Sequence, residues 1–370
     1  MSVAKEGAVL SRFDSQVWAM AESGEAAPLA DLVQRSAGKP QEQVVVETLI
    51  SDGVDPLAAV AVNGRVKTQF DFVGLAGVSV ALIESQDGPF VLSSWPAAQA
   101  GVFHLVSSVP SSDTRWRTVE RWLSGAAPTV GRCFLDHDDF LSFGAVLSEF
   151  GDVEVKMASG RVRHDHSSWV RGFPALSSSM RPSVDDIVLE AENANAALKT
   201  LHLHVEGVVD VWLRRIAGAT FTRGDFAVFQ EQVLARLAVS ASRRLALLSG
   251  RNRVVDQPVK PPIQIVLPAP TLSDSAATGE VLRVLGDTSS LSFAVLHRNP
   301  YLHVIVSDDI DGSNMDVFVT EADRIELHPG FRTSMGSLAR ITNVLSEHFE
   351  ADVLQEAQAP KAPSIAELMG

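Results

Sequence analysis

A single cysteine, Cys133, stands in 370 residues, so no internal disulfide and no cysteine-based metal cluster can form. The opening Met-Ser-Val-Ala-Lys-Glu-Gly lacks the charged-then-apolar pattern of a secretory signal. No apolar run approaches the ~18–20 residues of a membrane span. These absences predict a soluble, cytoplasmic protein with no membrane partner. No Walker-type phosphate loop is present, and no G-x-G-x-x-G follows a strand pattern. G-x-S-x-G, H-E-x-x-H and the kinase signatures are missing as well. No cofactor is expected, and catalysis by the common motif-bearing classes has no support.

What is present is apolar enough to fold. Hydrophobic residues make up 46% of the chain, which excludes a disordered protein and supplies cores for about two domains at the usual ~100–200 residues each. The net charge of −14 argues against a general coat for nucleic acid or anionic membrane. The charge is uneven. Residues 156–260 hold 15 basic against 10 acidic side chains, or +5, and the remaining 16 against 35 give −19. Arginine outnumbers lysine 24 to 7, a bias expected of a high-GC bacterial source.

Local patterns predict most elements. Phe13, Val17 and Met20 stand at helical spacing, and Pro28–Arg35 reads as a second short helix. Ala58–Val62 and Arg65–Phe72 around Asn63-Gly64 read as a hairpin, since Asn-Gly supplies the positive φ of a type I′ turn. Val78–Glu84 and Phe90–Ser94 pair around Asp87-Gly88. Asp113 and Asp136 are placed to cap helices, because a carboxylate accepts from the free N–H groups of a first turn. Ser159–Ser183 has no sustained period and reads as a loop. Five prolines in Arg251–Ser275 mark a linker, within which Ile263–Leu267 is an edge-strand candidate.

The pattern strand-strand-strand-helix occurs twice, over 199–237 and 301–349. Both copies share Asp-Val-aromatic-aliphatic, at Asp210–Leu213 and Asp316–Val319. The predicted fold is α+β, with mixed and antiparallel sheets, packed helices and a pseudo-repeat of this unit. The predicted division is a sheet-rich domain (1–125), a mixed middle domain (126–255), a proline-rich linker (256–278), a C-terminal α+β unit (279–350) and a disordered tail (351–370).

Candidate site residues fall in three groups. The first is arginine-rich: Arg161, Arg163, Arg171 and Arg181 with Trp169 and Phe173 in the predicted loop, and Arg214 and Arg215 in the first repeat. Guanidinium forks suit phosphates or carboxylates, and the aromatics suit base stacking. The second is histidine and aspartate: His164 and His166, His202 and His204, Asp136–Asp139, and the acidic run at Asp308–Asp311. Two histidines on one strand face are an incomplete metal site. A capped helix start accounts for Asp136–Asp139 without chemistry, and no metal site is assigned. The third is the tail, where Ile365, Leu368 and Met369 form a short amphipathic tip suited to a partner's groove.

The leading expectation is a non-catalytic interaction or assembly protein acting within a multi-protein system, with protein partners. The alternatives are a nucleic-acid-binding component using the arginine-rich middle, and a divergent metal-dependent hydrolase.

Overall fold

The computed structural model describes residues 10–36, 42–62, 70–110, 112–125, 129–163, 166–173, 182–216, 218–254, 259–351 and 353–357. Asn63-Gly64, His164, Arg181 and the tail residues Ile365, Leu368 and Met369 lie outside them. Helices and antiparallel sheets occur together, so the fold is α+β. The chain forms two compact units: residues 1–250 with 334–350, and residues 251–333 with 351–370.

The first unit is built on one large antiparallel sheet. Its order is β2 (Phe70–Leu75), β3 (Val78–Ile83), β4 (Phe90–Pro96), β5 (Val102–Ser107), β1 (Val44–Ser51), β11 (Gly218–Gly224), β10 (Val209–Arg214), β9 (Ala196–Val205), β7 (Val153–Val162) and β8 (Ser168–Gly172). β6 (Val130–Arg132) pairs with the end of β1. β1 is central and buried along its whole length, which suits its run of β-branched residues. Because the sheet is continuous from β2 to β8, the boundary predicted at 125/126 falls inside one unit.

Helices cover the sheet. α1 (Arg12–Ser23) and α2 (Leu29–Ser36) precede it, and α1 contacts β3 and β4. On one face, Val45 and Leu49 of β1 meet Leu57 and Val60 of α3 (Pro56–Val62) and Trp116, Val119 and Leu123 of α4 (Thr114–Gly125). α5 (His137–Leu147) and α6 (Val184–Asn193) follow. α7 (Phe226–Val228) widens into a π-helical stretch (Phe229–Leu234) and continues as α8 (Ala235–Leu248), which contacts β1 and β5.

Two local readings are corrected. Ala58–Val62 is helix rather than a hairpin arm, because Asp55 accepts from the N–H groups of Leu57 and Ala58 at 2.9 and 3.0 Å. Pro56 then stands at the first helical position, which needs no N–H donor. Ser159–Ser183 is not a structureless loop throughout. β7 and β8 pair across it, with Ser159 opposite Val170 and Arg161 opposite Ser168. The pattern is faint because β8 is an edge strand that buries Trp169 alone.

The second unit is a six-stranded antiparallel sheet in the order β13 (Leu291–His297), β14 (Leu302–Asp308), β15 (Asn314–Glu321), β16 (Arg324–Pro329), β12 (Ile263–Val266) and β17 (Val353–Glu356). α9 (Ser275–Asp287) contacts β13. β12 lies between β16 and β17, so the predicted linker holds an interior strand. Pro261 and Pro262 precede this strand and Pro268 and Pro270 follow it, so no ladder N–H is lost within it. β17 likewise belongs to the sheet, so the predicted disordered tail begins with a strand.

The last helix, α10 (Met335–His348), belongs to the first unit rather than to the repeat that precedes it in sequence. It contacts β6, and Asn343 Nδ2 donates to the Arg132 carbonyl at 2.8 Å. Gly131 permits the approach: a Cβ there would lie 2.8 Å from Ala339 Cβ. The two three-stranded meanders do share a device. His202 stacks on Trp212 at 4.2 Å and meets Asp210 at 2.6 Å; His303 stacks on Phe318 at 4.0 Å and meets Asp316 at 2.8 Å. In both, the histidine sits across the ladder from the aromatic, two residues beyond the aspartate.

Candidate functional site

The arginine-rich group does not converge on one surface. Trp169 is buried beneath the Arg171 guanidinium, 5.3 Å away, so its ring is not free to stack a base. Arg171 pairs with Glu190. Arg161 and Arg163 both turn toward the end of α10: Arg161 lies 3.9 Å from the Glu350 carboxylate, and Arg163 Nε donates to the Glu350 carbonyl at 3.0 Å. Phe173 is half-buried, its N–H bonded to the Lys156 carbonyl.

The acidic cluster at the start of α5 is structural. Asp136 and Asp139 form a reciprocal capping box. Asp136 also pairs with Arg244 at 3.2 Å, and Asp139 with Arg243 at 2.5 Å and the Ser240 hydroxyl. The Asp308–Asp311 run is a hairpin tip whose carboxylates accept from the N–H groups of Ile310 and Ser313. His166 lies 5.3 Å from the His348 ring. Among the described residues, no three or more His, Cys, Asp or Glu side chains gather in a way that would hold a metal.

His202 and His204 share one sheet face with Asp210. Asp210 accepts from Lys156 Nζ at 3.2 Å and Arg223 Nε at 3.3 Å as well as meeting His202. Burial acts to raise its pKa, but the His202 and Lys156 contacts prevail and hold it far below the usual carboxylate range. His204 Nδ1 lies 3.2 Å from the same carboxylate without hydrogen-bond geometry. Burial, then the Lys156 charge, depress its pKa. Two nearby cations make this face hostile to a metal ion, so the histidines read as members of a charge cluster.

Arg214 and Arg215 do meet other cations. They line a cleft of about 450 Å³ in the first unit. The end of β10 and β9 supply Arg214, Arg215 and Lys199; β6 supplies Arg132; α10 supplies Arg340 and Asn343. The five cations face three carboxylates, those of Glu47, Glu120 and Glu347. Two of the carboxylates are committed to Arg132, at 2.5 Å from Glu47 and 3.1 Å from Glu120. Lys199 stands 3.8 Å from Glu347 and 3.6 Å from Glu350. Arg215 is buried, its guanidinium 5.4 Å over the Phe134 ring, with Arg244 at 4.1 Å from the same ring.

Arg214 differs from these. Its Nη2 donates to the Val46 carbonyl at 3.2 Å, and its buried Nε has no partner. Burial lowers its pKa, with Glu47 and Glu120 opposing and Arg132 adding to the fall. Gly218 makes room for it: a Cβ at that position would lie 2.7 Å from Nη2. Cys133, also on the cleft, has its thiol pushed up to about 12, chiefly by burial, which removes it as a nucleophile.

A different surface stands out in the second unit. β13 is the edge of its sheet, and most of its residues are exposed. Phe293, Val295 and Leu296 are 37%, 42% and 55% exposed, and Ile305 on the neighbouring strand is 39% exposed. Edge strands are ordinarily protected by charge, proline or cover. This one carries Ser-Phe-Ala-Val-Leu with no charged side chain. A continuous apolar run concealed it in the sequence, because such a run reads as core. No model of a known protein family matches the chain, and the search of curated proteins finds no match.

Proposed function

We propose that the protein is a non-catalytic interaction protein that engages an extended segment of a partner protein along β13. The apolar edge strand, largely exposed although α9 contacts it, carries this reading. An open edge offers a row of unpaired N–H and C=O groups, and an added strand gains affinity from main-chain bonds and specificity from alternate side chains. Phe293, Val295 and Leu296 supply the apolar contacts. A charge placed in their midst opposes pairing, as it does on natural edges.

The test is affinity capture from the native cell by wild type and by a Val295→Lys/Leu296→Lys variant, each with and without nuclease. The expected result is a protein partner retained after nuclease and lost with the variant. Equal capture by both proteins would exclude this edge. Loss on nuclease treatment would restore the nucleic-acid alternative.

A further inference from the structure

The cleft of the first unit and the edge strand of the second are independent features, and the cleft has a charge left over. Glu47 and Glu120 turn to Arg132, and Glu347 to Lys199. Arg214 receives one carbonyl and no carboxylate. Glu47 and Glu120 act on Arg214 only across space, while its buried Nε lacks any hydrogen-bond partner, and a buried charged donor left unbonded is costly, so folds that keep one usually meet it from elsewhere. The surroundings are also apolar: Val130, Phe134, Ile216 and Val344 line the same cleft. Its volume lies in the range of small-ligand sites, where apolar walls and a few fixed polar groups divide the work of affinity and orientation.

We infer that this cleft binds a small amphiphilic oxyanion, its phosphate or carboxylate head on Arg214 and its apolar body against Val130, Phe134, Ile216 and Val344. A guanidinium offers two parallel N–H donors to such a head, and Arg214 has Nε unengaged. Gly218 belongs to the site, because any larger residue would displace the guanidinium. The preference is for an anion because cations outnumber carboxylates five to three on the lining. It is for an apolar body because inorganic ions leave the walls wet.

The full-length protein would be titrated calorimetrically with phenyl phosphate, 3-phenylpropionate, inorganic phosphate and benzyl alcohol. At least one of the two aromatic anions should bind at least about tenfold tighter than both inorganic phosphate and benzyl alcohol, and whichever does identifies the head group. Arg214→Gln should weaken that binding by about tenfold or more, and Arg214→Lys, which keeps the charge and loses the fork, by less. Val344→Ser should weaken the aromatic anion and leave inorganic phosphate unchanged. Absence of binding by both aromatic anions at about 10 mM would overturn the inference, as would benzyl alcohol binding as well as they do. Unchanged affinity in a folded Arg214→Gln variant would overturn it too. The wild-type comparison among the four probes stands even if a variant fails to fold.

Discussion

His104 should make the first unit sensitive to acid in a way that a single substitution reverses. It is buried on β5, opposite Thr48 of β1, with Nδ1 3.0 Å from the Thr48 hydroxyl. Burial lowers its pKa from 6.5 to about 4. From about pH 7.5 upward the ring is neutral folded and unfolded, and contributes no pH dependence. Below pH 6.5 the unfolded chain takes up a proton that the folded chain refuses, so stability falls until the pH reaches the folded value near 4. At pH 4.5 the loss is about 2.5 kcal/mol for this one group. His104→Leu removes the titration and leaves the Thr48 hydroxyl unpaired, at about 1 kcal/mol. The variant should therefore be less stable at pH 7.5 by about 1 kcal/mol and more stable at pH 4.5 by about 1.5 kcal/mol, crossing near about pH 5.9. All six tryptophans lie in the first unit, so urea unfolding followed by tryptophan fluorescence reports that unit alone. Parallel stability curves for the two proteins from pH 4 to 7.5 would refute the argument, because they would show that the folded ring titrates normally.

Three other outcomes follow from the same structure. Asp210→Ala should destabilise the first unit by about 2–3 kcal/mol at neutral pH, because Lys156 and Arg223 would face each other without their carboxylate. Since its folded pKa is depressed, that contribution is complete above the unfolded value of about 3.9 and is lost progressively as pH falls from there toward the folded value, so the gap between variant and wild type in urea melts should narrow steadily below about pH 3.9. Gly131→Ala should loosen α10 against β6 at a cost of about 1–3 kcal/mol, read as faster amide exchange in residues 335–348; unchanged exchange would show that the contact is slack. Arg214→Met should raise the thermal midpoint of the ligand-free protein by about 2–4 °C, about 1 kcal/mol, by removing a charged group whose buried Nε has no partner while keeping its apolar stem. A lowered midpoint would mean that the fold itself compensates Arg214.

Much of the local structure was legible from short stretches. Asp136 announced the start of α5 as its cap, and the hairpin of β3 and β4 was visible in the two runs around Asp87-Gly88. Such signals lie within one or two turns of the residues they govern, so a local reading captures them. Ala58–Val62 departs from the hairpin pattern that an Asn-Gly pair suggests because Asp55 and Pro56, just upstream, commit the segment to a helix. The repeat was legible as an Asp-Val-aromatic motif, and its matching histidines became evident only with the ladder registers.

The sequence by itself determined the α+β character, the caps, the meander of each repeat and the unequal distribution of charge. Tertiary structure decided which strands adjoin, that α10 joins the first unit, and that β12 lies inside a sheet rather than in a linker. It also decided the fate of the arginines. Trp169 and Arg171 were close in sequence and became a buried ring under a paired guanidinium, while Glu47, Arg132, Arg214 and Arg340 were far apart and came to share a cleft. The physical reason is reach. Caps and turns are short-range hydrogen bonds, whereas strand order and the pairing of buried charges depend on which distant surfaces exclude water together.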